Sequence, residues 1–325
     1  MNKKGQFNLE RGFGVEIEFL RPQNVSKQAI AETLTQGGVE TYVESYNHNT
    51  RPYWKIVTDS SVHSNDSEHY GDNEIVSPIL YGTDGLNQLQ MILIGLNELG
   101  CKINRTCGIH IHHDVTDVVS QQSTGVKFLT NLVKFVAKFE HIIYKLVTPS
   151  RLDGRGYSVP VRKTFFRYGL KTFIKRMKAD CRDRYERENT SIYPSVQRYR
   201  ACGLNLRNVW TRGAVEFRYH NGSLNFDKIS TWIILTQAIV NSVENTNSVK
   251  LNNPSENGDG LFYFKKAIGF IGDKDRCELT KVACKLTTKR FKQLSQRDDY
   301  IANADYSYVK PNGRFLDSSD ELIIQ

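Results

Sequence analysis

The sequence predicts an α+β protein, with a largely antiparallel sheet covered by helices on one face. Three observations lead there. Short segments alternate strictly between apolar and polar residues, as where Glu16 and Glu18 sit between Val15, Ile17 and Phe19. That is the period of a strand with one packed face. Stretches of helical apolar spacing run between these segments. One pair of strands is separated by only a few turn-forming residues, a link that antiparallel strands accept and parallel strands do not.

In chain order, the first strand is centred on residues 15–19. Residues 26–37 read as a helix, with Ile30 and Leu34 on one face and Gly37-Gly38 as its stop. A second strand covers 53–58, a polar loop 60–73 and a third strand 74–80. Residues 82–100 form a helix with the stripe Leu86, Leu89, Leu93 and Leu96. The fourth strand is 108–115, and a long helix spans 121–147 before Pro149. A basic segment of mixed loop and helix follows. Residues 203–209 and 214–219 then read as strands joined by a hairpin turn at Trp210-Thr211-Arg212-Gly213. A helix at 228–243 closes this part. Residues 245–260 are rich in Asn, Ser, Pro and Gly and read as a linker, and 261–325 as two helices and a polar tail. The expected organisation is a core over 1–246 and a linker with a C-terminal helical extension over 247–325.

At 325 residues the chain can bury a core without help from disulfides or metals. No apolar run reaches the ~18 residues that span a bilayer, and the start of the sequence has no apolar stretch of the signal-peptide kind. Six cysteines without a C-x-x-C pair read as free thiols in a reducing, cytoplasmic setting. The formal net charge is +9, and residues 151–218 hold seventeen Lys and Arg against six Asp and Glu, enough to account for all of it. Three readings of that segment stand: nucleic-acid binding, a local field for a polyanion such as ATP, or a solvated surface.

Strand parity concentrates chemistry on the face opposite the apolar residues. Glu16 and Glu18 share that face, as do His110 and His112, Glu216 and Arg218, and Asn205 and Arg207. Glu74 opens the third strand and Asp59 follows the second. A merely solvated face would carry Thr, Ser, Lys and Gln. Carboxylates side by side repel unless a cation or proton intervenes. Several glutamates with one imidazole make a hard, oxygen-rich ligand set that favours Mg²⁺ or Mn²⁺ over Zn²⁺.

Taken in order, Gly14-Val-Glu16-Ile-Glu18-Phe19, Trp54-Lys55-Ile-Val-Thr-Asp59-Ser-Ser-Val62 and Glu74-Ile-Val-Ser-Pro78-Ile-Leu80 resemble successive motifs of the amidoligase family. So do Cys107-Gly-Ile-His110-Ile-His112 and Leu204-Asn205-Leu206 with Val215-Glu216-Phe217-Arg218. That family groups with carboxylate–amine ligases of the glutamine synthetase fold. The resemblance implies a glutamine-synthetase-like sheet and an ATP-dependent ligase that joins a small-molecule or peptide carboxylate to an amine through an acyl phosphate. It implies ATP and Mg²⁺ (or Mn²⁺) as cofactors. Glu16, Glu18, Glu74, Glu216 and His110 would hold metal. Arg218 would stabilise charge on the transferred phosphate, with Asp59, Asn205 and His112 beside the reacting groups. Lys55, Arg198, Arg200 and Arg207 would add phosphate contacts. In one departure, Ser60 stands where many members of the family have glycine. Two rivals remain: a metal-dependent hydrolase using the H-x-H and glutamates, and a nucleic-acid-binding protein using 151–218.

Overall fold

The structure, a computed structural model, describes residues 6–65, 67–152, 158–187, 195–197, 200–251 and 260–295. These residues divide into two compact units.

One unit comprises residues 9–111 and 220–233. It contains β1 (Phe13–Pro22), α1 (Lys27–Gln36), β2 (Thr41–Val43), β3 (Trp54–Thr58), β4 (His69–Val76), α2 (Gly82–Glu98) and the start of β5 (Gly108–Asp114). Its strands run in the order β2-β3-β4-β1-β5, with β1/β4 and β3/β4 antiparallel and β2/β3 parallel. The Ser26 hydroxyl caps α1 by accepting the Ala29 amide at 3.0 Å, and Ile30, Ala31 and Leu34 form its buried stripe. Helix α2 buries Leu86, Leu89, Leu93 and Leu96 as expected, and Gln88 accepts the indole N–H of buried Trp54 on β3 at 3.2 Å.

Strand β4 starts earlier than the pattern suggested. Residues 69–73, read as loop, pair with β1, and His69, expected to be solvated, is buried. The cause is a β-bulge. Phe19 pairs with Asn73 and Arg21 with Tyr70, so one residue on β1 faces two on β4. Leu20, left over, exchanges backbone hydrogen bonds with Lys102. The Asn73 amide fixes the bulge by donating to the carbonyls of Phe19, Tyr70 and Gly71. Gly71 is required there, because a Cβ would lie 2.4 Å from the Val62 carbonyl oxygen. At its other end β4 stops at Val76, and residues 77–80 are irregular apart from a Phe13–Leu80 bridge. Strand β2 is three residues long, too short for alternation to reveal.

The second unit comprises the described parts of 1–8, 112–219 and 234–313. It holds the end of β5, α3 (Gln122–Tyr144), α4 (Val161–Phe165), α5 (Leu170–Glu186), β6 (Leu204–Asn205), α6 (Val209–Arg212), most of β7 (Ala214–Asn221), much of α7 (Phe226–Glu244), α8 (Gly260–Ala267) and α9 (Glu278–Ser295). Within this unit the strand order is β5-β7-β6, and β6/β7 is antiparallel. The hairpin expected at 210–213 is a one-turn helix, α6. It ends at Gly213, whose φ of 63° is the left-handed C-terminal stop, and β6 shrinks to two residues. The linker and tail read from the sequence lie largely outside the described residues, while α8 and α9 supply its two helices. All six cysteines are free, and no described helix is long and apolar enough to cross a membrane.

This unit is tied together by one buried carboxyl. Glu140, fully buried on α3, accepts the Val161 amide at the start of α4 (2.7 Å) and the Tyr219 hydroxyl on β7 (2.5 Å). Burial, only partly offset by these hydrogen bonds, pushes its carboxyl up to about 7. The folded state therefore holds this proton more tightly than the unfolded chain does. Its stabilisation is complete below the ordinary carboxylate range and disappears as pH rises through about 7. Unfolding free energy should fall by roughly 3 kcal/mol between about pH 4.5 and pH 7 on this account, at 1.36 kcal/mol per unit. Urea denaturation across that range should show the decline in the wild type and a flatter profile in Glu140→Gln. Identical slopes would refute the role.

Candidate functional site

The antiparallel register of β1 and β4 sets Glu18 directly opposite Glu74, and both are buried, at 4% and 8% exposure. Cross-strand like charges destabilise a sheet even in water. Burial removes the water that would screen them. His110, 4% exposed on β5, joins them. One donor atom from each of Glu18, Glu74 and His110 lies within 4.8 Å of the other two. Two carboxylates and an imidazole, buried and convergent, fit a hard divalent cation.

The imidazole is aimed. Its Nδ1 lies 2.8 Å from Glu16 Oε2, and a carboxylate can only accept, so the ring hydrogen sits on Nδ1. Nε2 lies 3.7 Å from Glu18 Oε1, and in the neutral ring with its hydrogen on Nδ1 it is the atom that would meet a cation. Glu18 is itself held by Oε2, which accepts the Gly108 amide at 2.5 Å. Carboxylate-to-histidine pairing of this kind fixes both tautomer and ring orientation in metal sites. The Gly108 amide was invisible to a reading of side chains alone.

A second group lies within the other unit. Glu216 and Arg218 occupy alternate positions on β7, and Asn205 on β6 is the register partner of Glu216. Asn205 Nδ2 donates to Glu216 Oε2 at 2.6 Å, and Arg218 donates to Oε1 as a buried ion pair. Asn205 Oδ1 accepts the Arg207 amide at 3.0 Å, so the asparagine cannot rotate. Buried Gln197 accepts the Leu206 amide at 2.7 Å and steadies the short strand. No pattern in the sequence marked Gln197.

The remaining expected residues fare differently. Alternation expected these side chains on an uncovered face, yet Glu18, Glu74, His110, Asn205, Glu216 and Arg218 are all buried, which corrects that expectation. His112 is half-buried, two positions along β5 from His110. Asp59 is half-buried just past β3, where its Oδ1 accepts the Ser61 amide at 2.7 Å. The backbone at Ser60 is not left-handed: among the described residues Asp72, with φ 60°, is the one non-glycine of positive φ. The Ser-for-Gly change therefore adds no strain there. Lys55 is buried, and its ammonium donates to Asn47 O, Asn47 Oδ1 and Asn49 O at 3.2, 2.9 and 2.8 Å. Those bonds anchor the 47–49 loop. Arg207 is half-buried, Arg200 is exposed, and Arg198 lies outside the described residues.

A protein-family model described as "Putative amidoligase enzyme" matches residues 9–240, more than two-thirds of the chain. No curated protein matches. Among solved structures, a bifunctional glutathione synthetase from Pasteurella multocida is similar at 12% identity and a TM-score of 0.44. That match covers 88% of this chain, which spans about half (47%) of that protein.

The Glu18–Glu74 pair yields a test that needs no substrate. In chelator, Glu18→Gln should be more stable than the wild type by roughly 1 kcal/mol, because it ends the cross-strand opposition of Glu18 to Glu74 while a glutamine oxygen can still accept the Gly108 amide. Mn²⁺ should stabilise the wild type and reverse the order. Thermal melts with and without metal report both. A variant less stable than wild type in chelator would count against the repulsion.

Proposed function

The chain belongs to the amidoligase family, and from that premise we propose that it is an ATP-dependent ligase that joins a carboxylate to an amine through an acyl phosphate. The observation that carries the proposal is the buried pair Glu18 and Glu74 facing each other across the sheet beside His110. The reading includes the kinship with the glutamine synthetase fold implied by the motifs.

A carboxylate is a poor acyl donor near neutral pH. Transfer of the γ-phosphoryl group from ATP to it gives an acyl phosphate, in which phosphate is a good leaving group. The amine attacks the acyl carbon, the C–O bond to phosphate breaks, and the amine loses a proton. Catalysis of the first step is largely positioning and charge neutralisation. The chain has neither G-x-x-x-x-G-K-[ST] nor G-x-G-x-x-G to cradle phosphates, so donor-bearing strands must do that work.

Glu18, Glu74 and His110 would hold Mg²⁺ or Mn²⁺, and Glu16 would orient His110 through Nδ1. Such an ion, when bound, supplies charge neutralisation at phosphate oxygens. Arg218 would stabilise the negative charge on the group in transfer, its guanidinium kept in place by Glu216. Asn205 in turn holds Glu216. Asp59 and His112, both half-buried, are candidates to take the amine proton. The acid and amine belong to the small-molecule or peptide class. ATP dependence separates this reading from a metal-dependent hydrolase, which would need no nucleotide.

Calorimetric titration with Mn²⁺ should detect binding to the wild type. Glu16→Gln should weaken it by about 10–100-fold, as loss of a histidine-orienting carboxylate does, and Glu18→Gln or Glu74→Gln by at least as much. Coupled detection of ADP should show release that requires an acid and an amine together. Unchanged Mn²⁺ affinity in both Glu18→Gln and Glu74→Gln would defeat the metal assignment. Substrate turnover without ATP would defeat the ligase.

A further inference from the structure

Most of the basic segment lies outside the two carboxylate groups, and four of its seventeen cations line one side of α5. Lys171, Lys175, Lys178 and Arg182 are exposed and fall at i, i+4, i+7 and i+11, a single stripe ~16 Å long at 1.5 Å per residue. This stripe walls an open groove of about 790 Å³ between α5 and the start of α3. Val126, Ile174 and Ala179, each half-buried, give it an apolar floor, and Gln122 and Ser123 line its far side. No carboxylate is among the lining residues. The first turn of α3 has no acidic residue, and its N-cap Gln121 makes no side-chain cap, so the positive end of the helix dipole adds to the field there.

We propose that this groove docks an acidic amphipathic helix of a protein partner. Carboxylates at i, i+4, i+7 and i+11 of such a helix match the period of the cations. Its apolar face lies on Val126, Ile174 and the lysine stems, which are hydrocarbon for most of their length. A nucleic acid fits less well. The groove offers no aromatic ring for base stacking, and one guanidinium among four cations. The apolar floor would be wasted on a phosphate backbone.

The probe is a fluorescein-labelled synthetic peptide of about eighteen residues, with glutamates along one helical stripe and leucines along the next. Its anisotropy is followed against the full-length chain. Two controls accompany it: a peptide of identical composition in scrambled order, and an oligothymidine of equal net charge. The expected result is binding of the patterned peptide at least about tenfold tighter than either control. The triple change Lys171→Glu, Lys175→Glu, Lys178→Glu should cost at least about tenfold, since four surface charge contacts carry the orientation. Val126→Asn, which removes apolar surface without adding charge, should weaken the patterned peptide severalfold while leaving oligothymidine binding unchanged. All four positions are exposed or half-buried, and thermal melts verify that each variant is folded. Equal binding of patterned and scrambled peptides would overturn the proposal, as would indifference to Val126→Asn. Tighter binding of oligothymidine than of the patterned peptide would transfer the groove to nucleic acid. None of these readouts involves the ligase reaction, so failure here leaves that reading standing.

Discussion

Two buried glutamates held face to face across a sheet are the constraint from which the first unit is understood. Glu18 and Glu74 are register partners on β1 and β4. A sheet that needed only stability would place almost anything else there, since opposed like charges cost free energy and burial raises the cost. The surrounding structure nevertheless enforces the pairing. A slip of one residue in either strand would turn its glutamate to the opposite face of the sheet. The bulge at Leu20, the Asn73 amide spanning three carbonyls and the tight approach of Gly71 to Val62 all oppose such a slip. Local structure here serves an electrostatic arrangement that is costly on its own and favourable around a cation.

The second unit treats a buried carboxylate differently. Glu216 is matched within the protein by the Arg218 guanidinium and the Asn205 amide. Breaking a buried pair by removing one member costs far more than the intact pair contributes, so the three residues stand or fall together. Glu18, by contrast, receives a backbone amide from Gly108 and has an imidazole ring 3.7 Å away. An amide dipole and a ring nitrogen orient a carboxylate without cancelling its charge.

Strand alternation made the chemistry legible in the sequence, because parity is intrinsic to the backbone and needs no tertiary knowledge. It grouped Glu16 with Glu18 and Glu216 with Arg218, and the helices with clear stripes and stops, α1 and α2, were found for the same reason. Burial was misread, because alternation says which residues share a side and not what covers it. The early start of β4 was missed because residues 69–73 are stabilised by a bulge and an asparagine side chain, and neither has a periodic signature. Trp210 to Gly213 carries the residues of a turn, and it does reverse the chain, but through one helical turn closed by a left-handed glycine. Lys55 sits among the motif residues and was counted with them. Its hydrogen bonds to Asn47 and Asn49, which hold the loop before β3, have no signature in the sequence.

The placement of charge bears on the chemistry from another direction. The excess of cations is concentrated in 151–218, yet the stripe on α5 is exposed while the metal-type donors in the first unit are buried. Exposed lysines are screened within a Debye length, about 8 Å at physiological salt, and their strength lies in attracting and orienting a partner. Buried donors act with little screening on what reaches them. Bond formation between a carboxylate and an amine in water needs the second environment, and recruitment needs the first. Exposed Lys171, Lys175 and Lys178 offer the first environment, and buried Glu18, Glu74 and His110 offer the second.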